Sequence, residues 1–285
     1  MLTRYALMTF GPDDFRYWQA HYCLLTVLAY APRPCEVVMA TDQPDRFAWF
    51  GDRVRVHALS AEGLAQWKGE RNYFLRTLIQ TLRLGTALQP AAGVAVYLDT
   101  DTAVQASLQP LLDATAAGQV AMDRREYNLF GHGKKGSKRL WNLVGGKSWC
   151  GVPVDQGTDM WNTGITAVRA ADFTLVDKAL GICDAMLAAG CDHYLTEQIA
   201  MSAVLGQPGR AVEVNPPGKP PLVAHYWGNK DGWNNDICQR LATIHLRGMG
   251  VDEAAAYVAA NPIRRPLVMK TRWWHKALGV EPRRT

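Results

Sequence analysis

The sequence predicts an α/β protein built on a doubly wound, mostly parallel sheet, and three observations predict it. Short apolar runs rich in β-branched residues alternate with amphipathic segments through the first half of the chain, the pattern of strands joined by crossover helices. The run GVAVYLD, without charge until its last residue, reads as a buried strand. The 285 residues, 48% of them hydrophobic, suffice to bury a full core, in one large domain or two small ones.

The elements follow in order. RYALMTF is the first strand, and a capped helix begins near Pro12-Asp13-Asp14 and runs to about Tyr30. CEVVMAT is a second strand, and RVRVHAL, with near-strict alternation, is a third. Residues 71–88 carry a helical stripe of Phe74, Leu75, Leu78, Leu82 and Leu88, and GVAVYLD follows. The stretch 123–159 is rich in Gly and basic residues without a clean period; so long an irregular connection is either a functional loop or a badly read element. MWNTGITAV is another strand, with helical segments around 173–189 and 193–205. The turn NPPGKPP leads into LVAHYWGNK, and DEAAAYVAA is a short capped helix. The final RRPLVMKTRWWHKALGVEPRRT is strongly basic, with paired tryptophans. The expected division is a main domain over 1–245 and a basic helical extension over 246–285.

Composition narrows the function classes. Cys23, Cys35, Cys150, Cys183, Cys191 and Cys238 are scattered without a CxxC pair, as expected of reduced thiols in a cytoplasmic protein. The N-terminus lacks a basic segment followed by a long apolar one, so no secretion signal is expected. No apolar stretch approaches the ~18 residues of a membrane span. A net charge of +5 and the lack of a recognition motif argue against a nucleic-acid partner.

Asp99 and Asp101 stand one residue apart where the apolar run ends. Residues i and i+2 of a strand point to one side, so the two carboxylates repel unless a positive charge lies between them. A divalent cation meets that need; the plain alternative is a strand end passing into a turn. Ligands of doubly wound sheets bind beyond the carboxyl ends of the strands, where this pair lies. Three further pieces accompany it: MWNTG with Asn162, TEQIAMSAVLG with Glu197-Gln198 near a helix start, and HYWGNK with His225, Gly228 and Lys230.

With those four pieces in this order, the chain resembles the GT-A-fold glycosyltransferases, and among them glycosyltransferase family 8. The family's Y-L-D-x-D is matched by Tyr97-Leu98-Asp99-Thr100-Asp101, and its F-N-x-G by Trp161-Asn162-Thr163-Gly164. Its D-Q pair is matched conservatively by Glu197-Gln198. Its H-x-x-G-x-K-P-W is matched by His225, Gly228 and Lys230, with Asp231-Gly232-Trp233 in place of Pro-Trp. TFGPDDF, with Asp13, resembles the acidic loop and aromatic residue near the nucleotide base.

The resemblance implies a Rossmann-like nucleotide-binding fold with a mixed, mostly parallel sheet, and transfer of a hexosyl unit from a nucleotide-diphosphate sugar. UDP is the expected nucleotide. A cation held by Asp99, Asp101 and His225 would neutralise charge on the departing diphosphate; the imidazole favours Mn²⁺, though Mg²⁺ fits the carboxylates. Asp99 would also touch ribose or sugar, Lys230 would meet the leaving phosphate, and Gly228 would let the backbone approach. Asn162, Glu197 and Gln198 would bind the sugar, the amides both donating and accepting. The family's usual arginine before the DxD falls at Leu82, next to Arg83; Arg76 and Arg83, at i and i+7, share a helix face, and either could reach the sugar or diphosphate, the equal alternative being two solvated surface arginines. Retention of configuration is implied by the family, with front-face attack expected because Gln198 is a poor nucleophile; the leaving diphosphate would help remove the acceptor proton, and Gln198 would act catalytically by positioning or stabilising, beside Asp101 and Lys230.

Two basic segments bear on the acceptor. Arg124, Arg125, Lys134, Lys135, Lys138, Arg139 and Lys147 crowd 123–159. Arg264, Arg265, Lys270, Arg272, Lys276, Arg283 and Arg284 crowd the C-terminus beside Trp273 and Trp274, a composition suited to an anionic membrane face. The expected acceptor is therefore a saccharide or lipid-linked saccharide at the inner face of a membrane. A solvated tail is the alternative. Two rival functions remain: a non-catalytic nucleotide-sugar or glycan-binding module, and a sugar-nucleotide pyrophosphorylase. The latter is disfavoured because TFGPDDF is acidic where such enzymes carry a basic, Gly-rich loop.

Overall fold

A computed structural model describes residues 1–216, 220–228 and 230–265. Along the chain run β1 (Thr3–Thr9), α1 (Asp14–Tyr30), β2 (Cys35–Thr41), β3 (Arg55–Ala58), α2 (Ala61–Lys68) and α3 (Arg76–Ala87). Then come β4 (Val94–Leu98), β5 (Thr102–Val104), α4 (Gln109–Ala116), β6 (Val120–Asn128), α5 (Lys135–Val144), β7 (Lys147–Trp149) and β8 (Val152–Val154). β9 (Asp159–Arg169), α6 (Phe173–Ala188), α7 (Thr196–Leu205), β10 (Ala211–Glu213), β11 (Val223–His225), α8 (Lys230–Leu246) and α9 (Val251–Ala260) complete the described order.

Seven strands form the central sheet in the order β10-β6-β9-β4-β1-β2-β3. β9 runs antiparallel to both β4 and β6, while the remaining neighbours pair in parallel. The sheet is thus mixed and mostly parallel, as expected.

Alternation along β4 divides the core. Val94, Val96 and Leu98 join a cluster with Leu24 and Leu25 of α1 and Ile237 of α8. Ala95 and Tyr97 join the opposite cluster, with Leu82 of α3, Ile182 of α6 and Met201 of α7. The result is helices on both faces of a sheet whose central strand is buried throughout. α1 starts where Asp13 accepts a hydrogen bond from the Phe15 N–H, and it stops at Ala31, just before Pro32.

One sequence expectation is corrected and one open alternative is decided. The helix expected from residue 71 begins at Arg76, because Asn72 adopts a left-handed φ of 48° that a continuing helix does not allow. Of the two readings open for 123–159, the misread element holds rather than the loop: the stretch contains the end of β6, helix α5 and the β7–β8 hairpin. Its period was hidden because β6 breaks register against β9 twice, between Met122 and Arg124 and between Arg125 and Tyr127. In α5, buried Leu140 and Val144 face the core, while Lys135, Lys138 and Arg139 lie outward.

The 245/246 boundary falls at the end of α8, and the following segment is anchored. Ala254, Ala255 and Val258 of α9 share the α1-side core, and the Ile263 carbonyl accepts from Tyr226 Oη at 2.9 Å. Arg265 pairs with Asp236 of α8. Lys270, Arg272, Trp273, Trp274, Lys276, Arg283 and Arg284 lie outside the described residues. Among the described residues, no helix is long and apolar enough to cross a membrane.

Candidate active site

The site forms where β4 ends. The Asp99 N–H donates to the Gly164 carbonyl of β9 at 2.7 Å, and the Asp99 carbonyl accepts from Thr102 N–H at 3.1 Å and Thr102 Oγ1 at 2.7 Å. That tight turn sends the chain into β5 and leaves both carboxylates beyond the strand end. β5 pairs antiparallel with β11 in a register that sets His225 opposite Thr102. A hydrogen bond of 2.9 Å from Tyr226 N–H to the Asp101 carbonyl extends this pairing. The imidazole therefore reaches the acidic pair from a remote part of the chain.

His225 Nε2 lies 3.3 Å from Asp101 Oδ1 and 3.7 Å from Asp99 Oδ2. One ligand atom from each of the three residues falls within a group spanning no more than 4.8 Å. Asp101 and His225 are buried, and Asp99 is half-buried. Two carboxylate oxygens and one imidazole nitrogen form a hard, partly borderline donor set that fits Mn²⁺ and admits Mg²⁺.

A fourth residue, not foreseen from the sequence, fixes the imidazole. Asp123 of β6 is 1% exposed, and its Oδ2 lies 2.8 Å from His225 Nδ1. A carboxylate only accepts, so Nδ1 carries the proton and Nε2 is turned to the acidic pair. Asn215 Nδ2 in turn donates to Asp123 Oδ1 at 2.9 Å. Burial alone would depress the His225 pKa, but Asp101, and after it Asp123, raise it to about 10. The available signal was QVAMD, an apolar run ending in an acid just as GVAVYLD does.

Gly164 is required by close approach. A Cβ there would collide with His225 Cε1 and lie 2.7 Å from Asp99 Oδ2. Asn162 holds this glycine in place, its Oδ1 accepting from the Gly164 N–H at 3.1 Å. Tyr97 Oη donates to Asp99 Oδ1 at 2.5 Å, orienting that carboxylate from the strand below.

A cleft of about 620 Å³ opens beside the acidic pair. Its walls are Thr9 at the end of β1 and Phe10 after it, Asp13, Phe15 and Arg16 at the start of α1, Phe74 and Leu78, and Asp231 and Asn234 of α8. Asp99 and Asp101 form its floor with Tyr97. Phe10 and Phe74 pack with centroids 5.2 Å apart, and the Arg16 guanidinium lies 5.6 Å from the Phe74 ring. Asp13 therefore both caps α1 and lines the cleft. Gly228 lies in the turn after β11, and Lys230 is the first residue of α8.

Arg76 and Arg83 are not brought to this cleft, which corrects their expected role. They share a face of α3, but it is the face turned to α6. Arg76 Nε lies 2.6 Å from Asp184 Oδ1, with further bonds to the Gln66 and Trp67 carbonyls, and Arg83 Nε lies 2.6 Å from Asp177 Oδ1.

Glu197 and Gln198 open α7 and are both buried. Burial pushes the Glu197 pKa up to about 8, a Thr163 hydrogen bond opposes that, and the Asp99 charge adds to it. Its Oε1 is buried without a hydrogen-bond partner. The fold therefore favours the protonated acid. Between the unfolded value of 4.5 and about 8 the folded state holds one proton that the unfolded state has lost, so stability falls as pH rises. In EDTA, Glu197→Gln should remove a decline approaching about 1.4 kcal/mol per pH unit. Urea midpoints at pH 5, 6, 7 and 8 test this; parallel profiles for both proteins would refute it.

No protein-family model and no curated protein sequence matches the chain. Solved structures do resemble it. Galactosyltransferase LgtC, in complex with donor and acceptor sugar analogs, is 14% identical and superposes with a TM-score of 0.52 over 97% of this chain and 99% of that one. An active-site mutant of LgtC is 13% identical, with a TM-score of 0.53 over 84% and 95%. Mouse xyloside xylosyltransferase 1 in its apo form is 13% identical, with a TM-score of 0.50 over 75% and 86%. At these identities the likeness establishes the fold: the chain has the GT-A architecture on which these glycosyltransferases are built.

Proposed function

We propose that the protein is a metal-dependent glycosyltransferase of the family 8 kind, moving a hexosyl unit from a UDP-sugar to a saccharide or lipid-linked saccharide with retention. The observation that carries this reading is the gathering of Asp99, Asp101 and His225 within 4.8 Å at the edge of a nucleotide-sized cleft. Solved GT-A glycosyltransferases of similar fold support it, including one bound to donor and acceptor sugar analogs.

Asp99, Asp101 and His225 would hold the cation, and Asp123 would keep His225 in the tautomer that offers Nε2. Bound there, a divalent cation supplies positive charge against the charge that develops on the diphosphate. Lys230, whose side chain lies outside the described residues, would add a second charge at the leaving phosphate, and Gly228 would permit close backbone approach. Asp13 and Phe15, which line the cleft, would meet the nucleotide. Asn162, Glu197 and Gln198 address the sugar. The acceptor hydroxyl attacks on the face the diphosphate leaves. A new C–O bond forms as the sugar–phosphate C–O bond breaks, and the hydroxyl proton passes to a diphosphate oxygen. Mn²⁺ is the cation this donor set favours, and the basic C-terminus would bring the enzyme to the cytoplasmic face of an anionic membrane.

The test is release of UDP from a panel of UDP-hexoses with Mn²⁺ and with EDTA, followed by NMR of the transferred anomer. Mn²⁺-dependent release with the donor's configuration kept is expected. Binding without turnover of any donor would leave a sugar-nucleotide binding module, and an inverted anomer would contradict the front-face mechanism.

A further inference from the structure

Glu126 takes part in none of the roles above, yet its contacts are specific. Its Oε1 accepts from Asn162 Nδ2 at 3.0 Å and its Oε2 accepts from Gln198 Nε2 at 2.9 Å. One carboxylate thus joins the two amides of the sugar-facing set, which come from different elements, β9 and α7. Glu126 reaches them because of a backbone irregularity. Arg125 is opposite Trp161 and Tyr127 is opposite Met160, so Glu126 is the extra residue at a break in the β6–β9 register. Such breaks re-aim a side chain that a regular strand would send to its alternating side.

We propose that Glu126 is a positioning residue that sets which atom of the Gln198 amide meets the sugar. The inference rests on the glycosyltransferase reading and adds a residue to it. A carboxylate has acceptors only, whereas an amide has a donor end and an acceptor end. Both NH2 groups must therefore face Glu126, and both carbonyl oxygens must turn away from it. Asn162 supplies an independent check, since its Oδ1 accepts the Gly164 N–H at 3.1 Å, which only this orientation allows. On the glycosyltransferase reading, Gln198 would then present an oxygen, a partial negative charge, to the sugar carbon that the diphosphate leaves. The same carboxylate steadies Asn162, and through it Gly164, which lies against Asp99 and His225.

Glu126→Gln discriminates this role from a structural one. A glutamine at 126 has one acceptor end and one donor end, so it keeps one amide bond and sets its own NH2 against the other. Asn162 is pinned by Gly164, so Gln198 is the amide that turns over, placing its NH2 where the oxygen belongs. UDP carries no sugar and should not sense the change. The experiment measures UDP affinity by titration with Mn²⁺, kcat and KM for UDP-hexose hydrolysis, and the melting temperature, for wild type, Glu126→Gln and Glu126→Ala. UDP affinity within twofold of wild type, an unchanged melting temperature and a kcat lower by about 10–100-fold in Glu126→Gln are expected, in the range that positioning groups command. A kcat within twofold of wild type in both variants would overturn the proposal. So would parallel losses of UDP binding and melting temperature, which would make Glu126 a folding residue. Failure of the wild type itself to bind UDP or turn over any donor would instead overturn the function on which the proposal rests.

Discussion

Asp101→Asn is expected to abolish cation-dependent turnover, lowering it by about 10³-fold, the equivalent of about 4 kcal/mol of lost charge stabilisation. Asp101 is the more deeply buried of the paired acids and the nearer to His225 Nε2, at 3.3 Å. Asparagine keeps the volume and one oxygen but removes the charge that binds a hard cation. It also weakens the potential that, with Asp123, raises the His225 pKa. The protein should still fold, because the backbone bond from Tyr226 N–H to the Asp101 carbonyl does not involve the side chain. A melting temperature near wild type in EDTA, measured beside donor hydrolysis, separates loss of the cation from loss of the fold. Activity within tenfold of wild type would show that Asp101 does not hold the metal.

Gly164→Ala should be nearly as damaging, although it changes no charge and removes no hydrogen bond. The added methyl would collide with the His225 ring and lie 2.7 Å from Asp99 Oδ2, so both ligands must retreat. His225 has little freedom to do so, being buried and tied to Asp123 at 2.8 Å. The strain falls on the geometry of the ligand set, where a displacement of about 1 Å can cost about 10²-fold in rate. The apparent Mn²⁺ affinity, read by titration in the presence of UDP, should fall in step with the rate. Unchanged affinity would mean that the ligands do not act together.

What the sequence revealed and what it hid have physical causes. GVAVYLD and the Asp13 cap of α1 are local features: a run without charge and a capping acid declare themselves within a few residues. The trio of Asp99, Asp101 and His225 was reached only through a resemblance, because the pairing of β5 with β11 that unites it is not written in either segment. Asp123 and Glu126 escaped for a sharper reason. Both fall where β6 slips register against β9, so the period of two that would assign their sides fails at those residues. Arg76 and Arg83 show the opposite limit. Their spacing correctly puts them on one face of α3, but helical period cannot say whether that face meets a ligand or, as here, Asp184 and Asp177 of α6.

Asp99 and Asp101 stand together, on this account, because a divalent cation and a nucleoside diphosphate occupy the space beside them. Calorimetric titration of UDP into the wild-type protein, first with Mn²⁺ and then with EDTA, tests that directly, with Asp101→Asn as the control. The account predicts binding with Mn²⁺ that EDTA abolishes and that the variant lacks. Equal UDP binding with and without the cation, or none under either condition, would contradict it.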